Sequence, residues 1–253
     1  IAKTGKNRYL FVECDLNDRR FLDPLAKNGF AMDAQWLDEF HHALRVAVGE
    51  PKKGYYREFN GVEDLAKAYE KAYVFDGNYS FHREKFFGTD TAGIPGDRFI
   101  VFSQNHDQVG NRMLGDRAAS LYAREITCLM TFAVFMSPYL PLLFMGEEWG
   151  TARPFPYFIS HSDPELVELV RQGRKREFED FLTDHEVPDP QDETIFRQAV
   201  LDWDELNRQP YQQQLSYYKS LIAFRKSNPL LKNMQRSEIR TECLCDKKVL
   251  SIC

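Results

Sequence analysis

The stretch Phe99-Ile-Val-Phe-Ser-Gln-Asn-His-Asp-Gln-Val-Gly-Asn-Arg112 decides how the rest of the chain is read. Its four consecutive apolar residues, Phe99 to Phe102, show no polar alternation, the pattern of a parallel strand buried on both faces. Gln104, Asn105, His106 and Asp107 follow at once, a polar cluster delivered at the carboxyl end of that strand, and Gly110 gives the chain room to turn. A His beside an Asp is compatible with half of a hydrolytic triad, with metal ligation or with a structural pair. No Gly-x-Ser-x-Gly elbow supplies a triad nucleophile. His41 and His42 are adjacent and cannot both face one ion from a helix.

Working outward, the same design recurs. Tyr9-Leu-Phe-Val12 precedes Glu13-Cys-Asp15, and Pro141-Leu-Leu-Phe-Met145 precedes Glu147-Glu148. A weaker run from Phe30 to Trp36 leads into Asp38 and Glu39. Helical periodicity fills the gaps over Asp38–Val48, Val62–Tyr73 and Ala118–Met136. Strands alternating with helices predict βαβ units in an α/β fold. Polar residues at the carboxyl ends of such strands are where a barrel enzyme keeps its chemistry. A whole barrel takes eight strands and about 250 residues. Four strands before residue 150 leave two forms open, a small four-stranded domain or half of a barrel.

Beyond residue 150 the texture changes. Thr151 to Tyr157 reads as a loop, Asp163-Pro-Glu165 as the cap of a helix running to about Phe181, and Val187 to Asp192 as a further loop. Gln212 to Lys226 reads as an amphipathic helix stopped at Ser227-Asn-Pro229. From Arg236 the tail alternates about Asp246-Lys247 like a hairpin that reaches Cys253 in mid-strand.

The 253 residues are 43% hydrophobic and 28% charged, with a net charge of −5 spread over mixed-sign segments, the composition of a soluble globular protein. Nothing in that balance recommends a nucleic-acid or membrane partner. The most basic stretch, Arg171 to Arg176, runs into Glu177, Glu179 and Asp180 and reads as a solvated helix face. The 14% of aromatic residues often sit beside polar neighbours, as Tyr55, Tyr56, Tyr157, Phe158, Tyr217 and Tyr218 do, which suits sugar faces as well as core packing. Five cysteines without zinc-like or disulfide-framework spacing are expected as free thiols. No apolar run approaches the roughly 20 residues of a membrane span, and no signal peptide is visible, so a cytoplasmic location is expected.

Asn105-His106-Asp107 at a strand end resembles the seventh-strand motif of the α-amylase family of glycoside hydrolases. Glu13 matches that family's fifth-strand general acid, with Asp15-Leu-Asn-Asp18 continuing the motif, and Phe144-Met-Gly-Glu-Glu148 matches the eighth strand end. Longer phrases narrow the likeness. Asp33-Ala-Gln-Trp-Leu-Asp-Glu-Phe-His-His42, Gly54-Tyr-Tyr56, Met145-Gly-Glu-Glu-Trp-Gly150 and Pro188-Asp-Pro-Gln-Asp192 resemble segments of the maltooligosyltrehalose trehalohydrolases, in the right order and over nearly the whole chain.

The resemblance implies strands five to eight of a TIM-type (β/α)8 barrel over 1–229, with the start of a C-terminal β domain over 230–253. It implies cleavage of the α-1,4-glucosidic bond next to the terminal trehalose of a maltooligosyltrehalose, without a metal or other cofactor. Glu13 is then the general acid/base and Asp107 the transition-state stabiliser. His106, Asn105, Gln104, Trp36, Asp38, His41 and Trp149 are the substrate-binding candidates. Arg112 and Arg117 are read as structural, salt-bridged to Asp116, with contact to a sugar hydroxyl as the alternative. The alternatives are another α-amylase relative, such as a glucan-branching enzyme, or a non-catalytic glucan-binding or split-enzyme subunit.

The family's nucleophile is an Asp ending the fourth strand, and Ile1 to Lys6 contain none. A retaining glycosidase needs both carboxylates, so this chain by itself is expected to be inactive. Half a barrel also exposes strand edges and strips the opposite wall from Phe11, Val101, Phe102 and Leu143. That predicts self-association through the open half-barrel.

Overall fold

A computed structural model describes residues 7–178 and 186–253. In it Phe99–Val101 is a strand with all three side chains buried. The elements run β1 (Phe11–Val12), β2 (Ala34–Trp36), α1 (Asp38–Ala47), α2 (Val62–Lys71), β3 (Asn78–Ser80), β4 (Lys85–Phe87) and β5 (Phe99–Val101). There follow α3 (His106–Gly110), α4 (Ala118–Leu121), α5 (Arg124–Phe135), β6 (Leu140–Pro141), α6 (Pro164–Glu177) and α7 (Glu193–Ala199). Last come α8 (Tyr211–Ser227), α9 (Pro229–Lys232), β7 (Thr241–Leu244) and β8 (Val249–Ile252). The chain divides into two compact units. One takes the residues up to Ser103, Cys128–Leu142 and Leu221–Cys253; the other takes Gln104–Thr127 and Leu143–Ser220.

The first unit holds a four-stranded parallel sheet in the order β1-β2-β5-β6. Its register pairs Val12 with Gln35, Gln35 with Phe99, Trp36 with Ile100, and Ile100 with Leu140. Asp38 and Glu39 lie in the first turn of α1, where carboxylates complement the helix dipole. Helix α1 lays Phe40 against Tyr69 and Tyr139, with ring centroids 5.4 and 6.2 Å away. The hydroxyls carried into that core find acceptors: Tyr69 donates to the Ala133 carbonyl and Tyr139 to that of Ala68, each at 2.6 Å. Buried hydroxyls left unpaired would cost about 1–3 kcal/mol each.

The hairpin β7–β8 is antiparallel and joins the same unit, with the Thr241 N–H and hydroxyl both donating to Glu70 Oε1. Cys243 and Cys245, expected as free thiols, are bonded to each other. Cys243 is in β7 and Cys245 opens the turn after it, and their Cα atoms are 5.4 Å apart. Cys14, Cys128 and Cys253 are not part of a disulfide. Cys253 lies just past β8, and its N–H and carbonyl still pair with Arg240.

In the second unit, side-chain caps begin the helices. Asp163 accepts from the Glu165 and Leu166 amides, with Pro164 at the first helical position, and Asp192 accepts from Thr194. The helix begun at Asp163 is described to Glu177; Phe181, its expected end, lies outside the described residues. Gly110 closes α3 in ordinary backbone. The turn that needs glycine is at Gly115, φ 68°, where a Cβ would collide with the Phe155–Pro156 backbone.

Several expected boundaries shift. The run Tyr9–Val12 pairs regularly only at Phe11 and Val12, because Leu10 donates instead to the Asp33 carboxylate. The last strand is Leu140–Pro141 and not Pro141–Met145: after Leu142 donates to the Val101 carbonyl, the chain turns away. The helix expected over Ala118–Met136 breaks at Tyr122, which is extended. The β3–β4 hairpin went unforeseen. Phe11 stands 54% exposed at the sheet edge, as expected, whereas Val101 and Phe102 are fully buried, against expectation; Phe102 packs on Trp36 and His41. Among the described residues no helix is long and apolar enough to cross a membrane.

Arg236 ties the tail of the first unit to the approach to β5. Its buried guanidinium donates to the Ile94, Thr91 and Glu70 carbonyls and to the Thr91 hydroxyl. Arg236→Met leaves those acceptors unpaired and should cost about 3 kcal/mol of stability, read as a lowered urea midpoint. An unchanged midpoint would show that the carbonyls find other donors.

Candidate active site

The candidate residues divide between the two units. In the first, β1 ends at Val12 and leaves Glu13 exposed at the next position. Trp36 closes β2, half-buried and edge-on to Phe102 at 5.6 Å. Asp38 begins α1 and is half-buried. Glu13, Trp36 and Asp38 therefore all lie at the carboxyl end of the parallel sheet. The loop after β1 is held by Gln35, whose carboxamide donates to the Leu16 carbonyl at 2.6 Å while accepting from the Tyr73 hydroxyl. Asp15 pairs with Arg83 at 2.8 Å.

His41 was expected to face substrate, but it is buried. Its Nδ1–H donates to the Ser103 carbonyl at 2.8 Å, and its Nε2 pairs with the Tyr56 hydroxyl at 3.0 Å. It pins the end of the β5 segment to α1. The neighbouring His42 stacks on Tyr55 and meets Tyr56 and Phe59, and burial, aided by the charge of Arg83, pushes its pKa down to about 4. Behind α1, Glu39 Oε2 accepts from the amides of Val74 and Phe75 at 2.6 and 2.9 Å. Burial outweighs those bonds and pushes the carboxyl up to about 7.

In the second unit the expected cluster divides by role. His106 and Asp107 are exposed, while Gln104 and Asn105 are buried. Asn105 caps α3: its Oδ1 accepts from the amides of Asp107 and Gln108 at 2.8 and 3.2 Å, and Gln108 Oε1 accepts from the Asn105 amide at 3.1 Å. This reciprocal cap fixes the direction in which His106 and Asp107 leave the chain. Gln104 accepts from the Ala118 amide at 2.9 Å. Asn105 and Gln104 therefore position their neighbours and do not themselves face outward, a correction to their expected role as ligands.

Trp149 is corrected more sharply. It is 2% exposed, its ring meets Trp203 at 5.2 Å, and its Nε1–H donates to Glu205 at 2.9 Å. Such a ring offers no face to a sugar. Arg112 takes the expected structural role, whereas Arg117 is structural by another route than Asp116. Arg112 lies 3.9 Å from Asp116. Arg117 is fully buried, donates to the Arg153 and Met145 carbonyls and lies over the Phe144 ring.

Two residues escaped the sequence reading. Asn111 donates to Asp107 Oδ1 at 2.6 Å, and Arg174 donates to Asn111 Oδ1 and to the Gly110 carbonyl. Arg174 belongs to the basic stretch expected as a solvated face, yet its side chain is 11% exposed and lies over the rings of Tyr157 and Phe178. Of those rings Phe178 lies one helical turn on, a signal the sequence did carry, and Tyr157 is distant in sequence. Among the described residues no group of three His, Cys, Asp or Glu side chains is placed to hold a metal ion.

No family model matches the chain. A malto-oligosyltrehalose trehalohydrolase from Saccharolobus solfataricus is 39% identical over 231 residues, 91% of this chain and 39% of the relative. One from Arthrobacter ramosus is 40% identical over 231 residues, 90% of this chain and 40% of the relative. One from Mycobacterium tuberculosis is 38% identical over 227 residues, 88% and 39% respectively. The chain belongs to the malto-oligosyltrehalose trehalohydrolase family. It spans about two-fifths of the length of the relatives it matches in that family. A crystal structure of a candidate α-amylase from Salmonella typhimurium superposes with a TM-score of 0.84 at 33% identity, covering 93% of this chain and 41% of that one. The fold is thus α/β and α-amylase-like, with a parallel sheet and a small antiparallel C-terminal sheet.

The raised pKa of Glu39 has a stability consequence. Between the ordinary value near 4.5 and the folded value near 7, the folded state holds the proton more tightly, so stability falls as pH rises through that window and levels off above it. Glu39→Gln removes this component. Its urea midpoint should gain on that of the parent from pH 4.5 to 7 and run parallel above. A constant difference across the range would place the titration elsewhere.

Proposed function

We propose that the chain is the segment carrying strands five to eight of an α-amylase-type (β/α)8 barrel, with catalytic residues up to 229 and the start of a C-terminal β domain over 230–253. Its activity, within the complete enzyme, is hydrolysis of the α-1,4-glucosidic bond next to the terminal trehalose of a malto-oligosyltrehalose. The observation that carries this is the exposure pattern at the ends of β1 and β5. Glu13, His106 and Asp107 are exposed, while Gln104 and Asn105, just before the last two, are buried.

Glu13 is assigned the general acid/base role. In a retaining reaction it gives its proton to the glycosidic oxygen as the bond to C1 breaks and trehalose leaves. It then takes a proton from the water that releases the remaining glucan from the nucleophile. That nucleophile is the Asp the family carries on its fourth strand. Asp107, steadied by Asn111, is assigned to stabilise the oxocarbenium-like transition state, and His106 to bind a hydroxyl of the same sugar. Trp36 and Asp38 are assigned to the neighbouring sugars. The chemistry calls on no cofactor, nucleic acid or membrane, and a cytoplasmic location fits its substrate.

The likeness to a candidate α-amylase favours a broader α-glucanase as the second reading. Products separate the two: trehalose from malto-oligosyltrehalose in the first case, short malto-oligosaccharides without trehalose in the second, and new branch points if the enzyme transfers glucan instead.

In the complete enzyme, Glu13→Gln and Asp107→Asn should each lower kcat by about 10²–10⁴-fold with an unchanged circular-dichroism spectrum. An Asp107→Asn enzyme that keeps most of its kcat would remove Asp107 from the reaction. The isolated 253-residue chain, with Tyr9, Leu10 and Phe11 exposed along the β1 edge, should sediment at micromolar concentration as a C2 dimer. A monomer of 29.6 kDa would show that this edge is not sticky.

A further inference from the structure

Glu13 opens the segment 13–18, which is neither helix nor strand and runs from the end of β1 to the turn capped by Asp18. A carboxyl that must meet a glycosidic oxygen within hydrogen-bond reach needs its backbone fixed, and no strand ladder does that here. Within 13–18 only Asn17 is buried, at 6% exposure. A short amide side chain brings little apolar area inside, so its burial is sustained by the bonds it makes.

Those bonds run to both sides of the β3–β4 hairpin. Asn17 Nδ2 donates to the Phe75 carbonyl at 2.8 Å, just ahead of β3. The Thr89 hydroxyl, just past β4, donates to the Asn17 carbonyl at 3.0 Å while accepting from the Arg19 amide at 2.9 Å. The base of the hairpin is closed by the Gly77 amide, which donates to the Phe87 carbonyl at 2.9 Å. Phe75 is itself anchored, its amide donating to Glu39 Oε2 of α1 at 2.9 Å. Its carbonyl is hemmed in by Gly88, φ 85°, where a Cβ would lie 1.7 Å from the Phe75 oxygen. An unbroken series of bonded groups thus leads from α1 through Phe75 to Asn17.

We propose that Asn17 is a positioning residue for Glu13, holding the acid/base carboxyl in place by tying the loop after β1 to the base of the β3–β4 hairpin. The proposal rests on the assignment of Glu13 made above. Removing the tie leaves the sheet its own support, because Phe11 and Val12 pair with Ala34 and Gln35 through the backbone. What changes is the reach of Glu13.

Two substrates separate reach from fold. With malto-oligosyltrehalose, the family's nucleophile attacks C1, the C1–O bond breaks with its electron pair on oxygen, and Glu13 gives that oxygen a proton. With an α-malto-oligosyl fluoride the same attack expels fluoride, which leaves without a proton, so Glu13 is not called on in that step. In both cases kcat/KM reports the steps up to this bond breaking. In the complete enzyme, Asn17→Ala should lower kcat/KM on malto-oligosyltrehalose by about 10–100-fold, with a loss on the fluoride about tenfold smaller. Equal losses on the two substrates, or none on malto-oligosyltrehalose, would overturn the proposal. If Asn17→Ala fails to fold, Asn17→Asp, similar in size and lacking the N–H donor, decides by the same comparison. Glu13→Gln should show the same split between substrates. Its absence there would refute the assignment of Glu13, whereas a split in Glu13→Gln without one in the Asn17 variants would refute the role of Asn17 alone.

Discussion

Parallel pairing of β1, β2, β5 and β6 is the constraint from which the rest of the first unit follows. Parallel strands share one direction, so each hands the chain over at the same side of the sheet. The register Val12–Gln35–Phe99 places Glu13 one step past the paired residues, beside the level of Trp36. A strand buried on both faces has no room for a polar side chain unless it is bonded. Gln35 is such a side chain, and its two bonds, to the Leu16 carbonyl and from Tyr73, tie the loop after Glu13 back onto the sheet. One buried carboxamide thus serves packing and site geometry together.

The second unit uses the same device. Gln104 and Asn105 turn inward and are bonded, and His106 and Asp107 leave the chain at the capped end of α3. Beyond the peptide bonds to its neighbours, Asp107 is restrained by Asn111, which in turn receives a bond from Arg174. A reacting carboxylate gains most from being held in place before substrate arrives, and here the holding groups lie at positions 105, 111 and 174. The buried acids Glu39 and Glu147 show the accompanying cost. Both have pKa values raised by burial, because the surroundings that fix them also strip them of water.

Much of this was legible in the sequence where local pattern and tertiary outcome coincide. The unbroken apolar run Phe99–Phe102 and the 3.6-residue periodicity of Asp38–Val48 both became the elements expected. So did the hairpin about Asp246-Lys247. What was not legible depends on contacts distant in sequence. The Ala118–Met136 periodicity is continuous, yet the chain is extended at Tyr122. The β3–β4 hairpin joins aromatic and charged residues without a turn glycine or a clean alternation. Trp149 carries the same side chain whether it faces a sugar or Trp203, and only packing tells which. Arg174 looked like one charge among several on a basic helix; Phe178 lies one turn on, but the contact with Tyr157, 17 residues earlier, could not be read from the chain.

The central claim is that Glu13 acts on the glycosidic bond. The most direct measurement is a crystal structure of the complete enzyme, carrying Glu13→Gln, with an uncleaved malto-oligosyltrehalose bound. The account predicts the side chain at position 13 within about 2.6–3.2 Å of the glycosidic oxygen, with His106 and Asp107 on hydroxyls of the sugar whose C1 carries that bond. An oligosaccharide bound elsewhere, with position 13 touching no part of the scissile linkage, would contradict it.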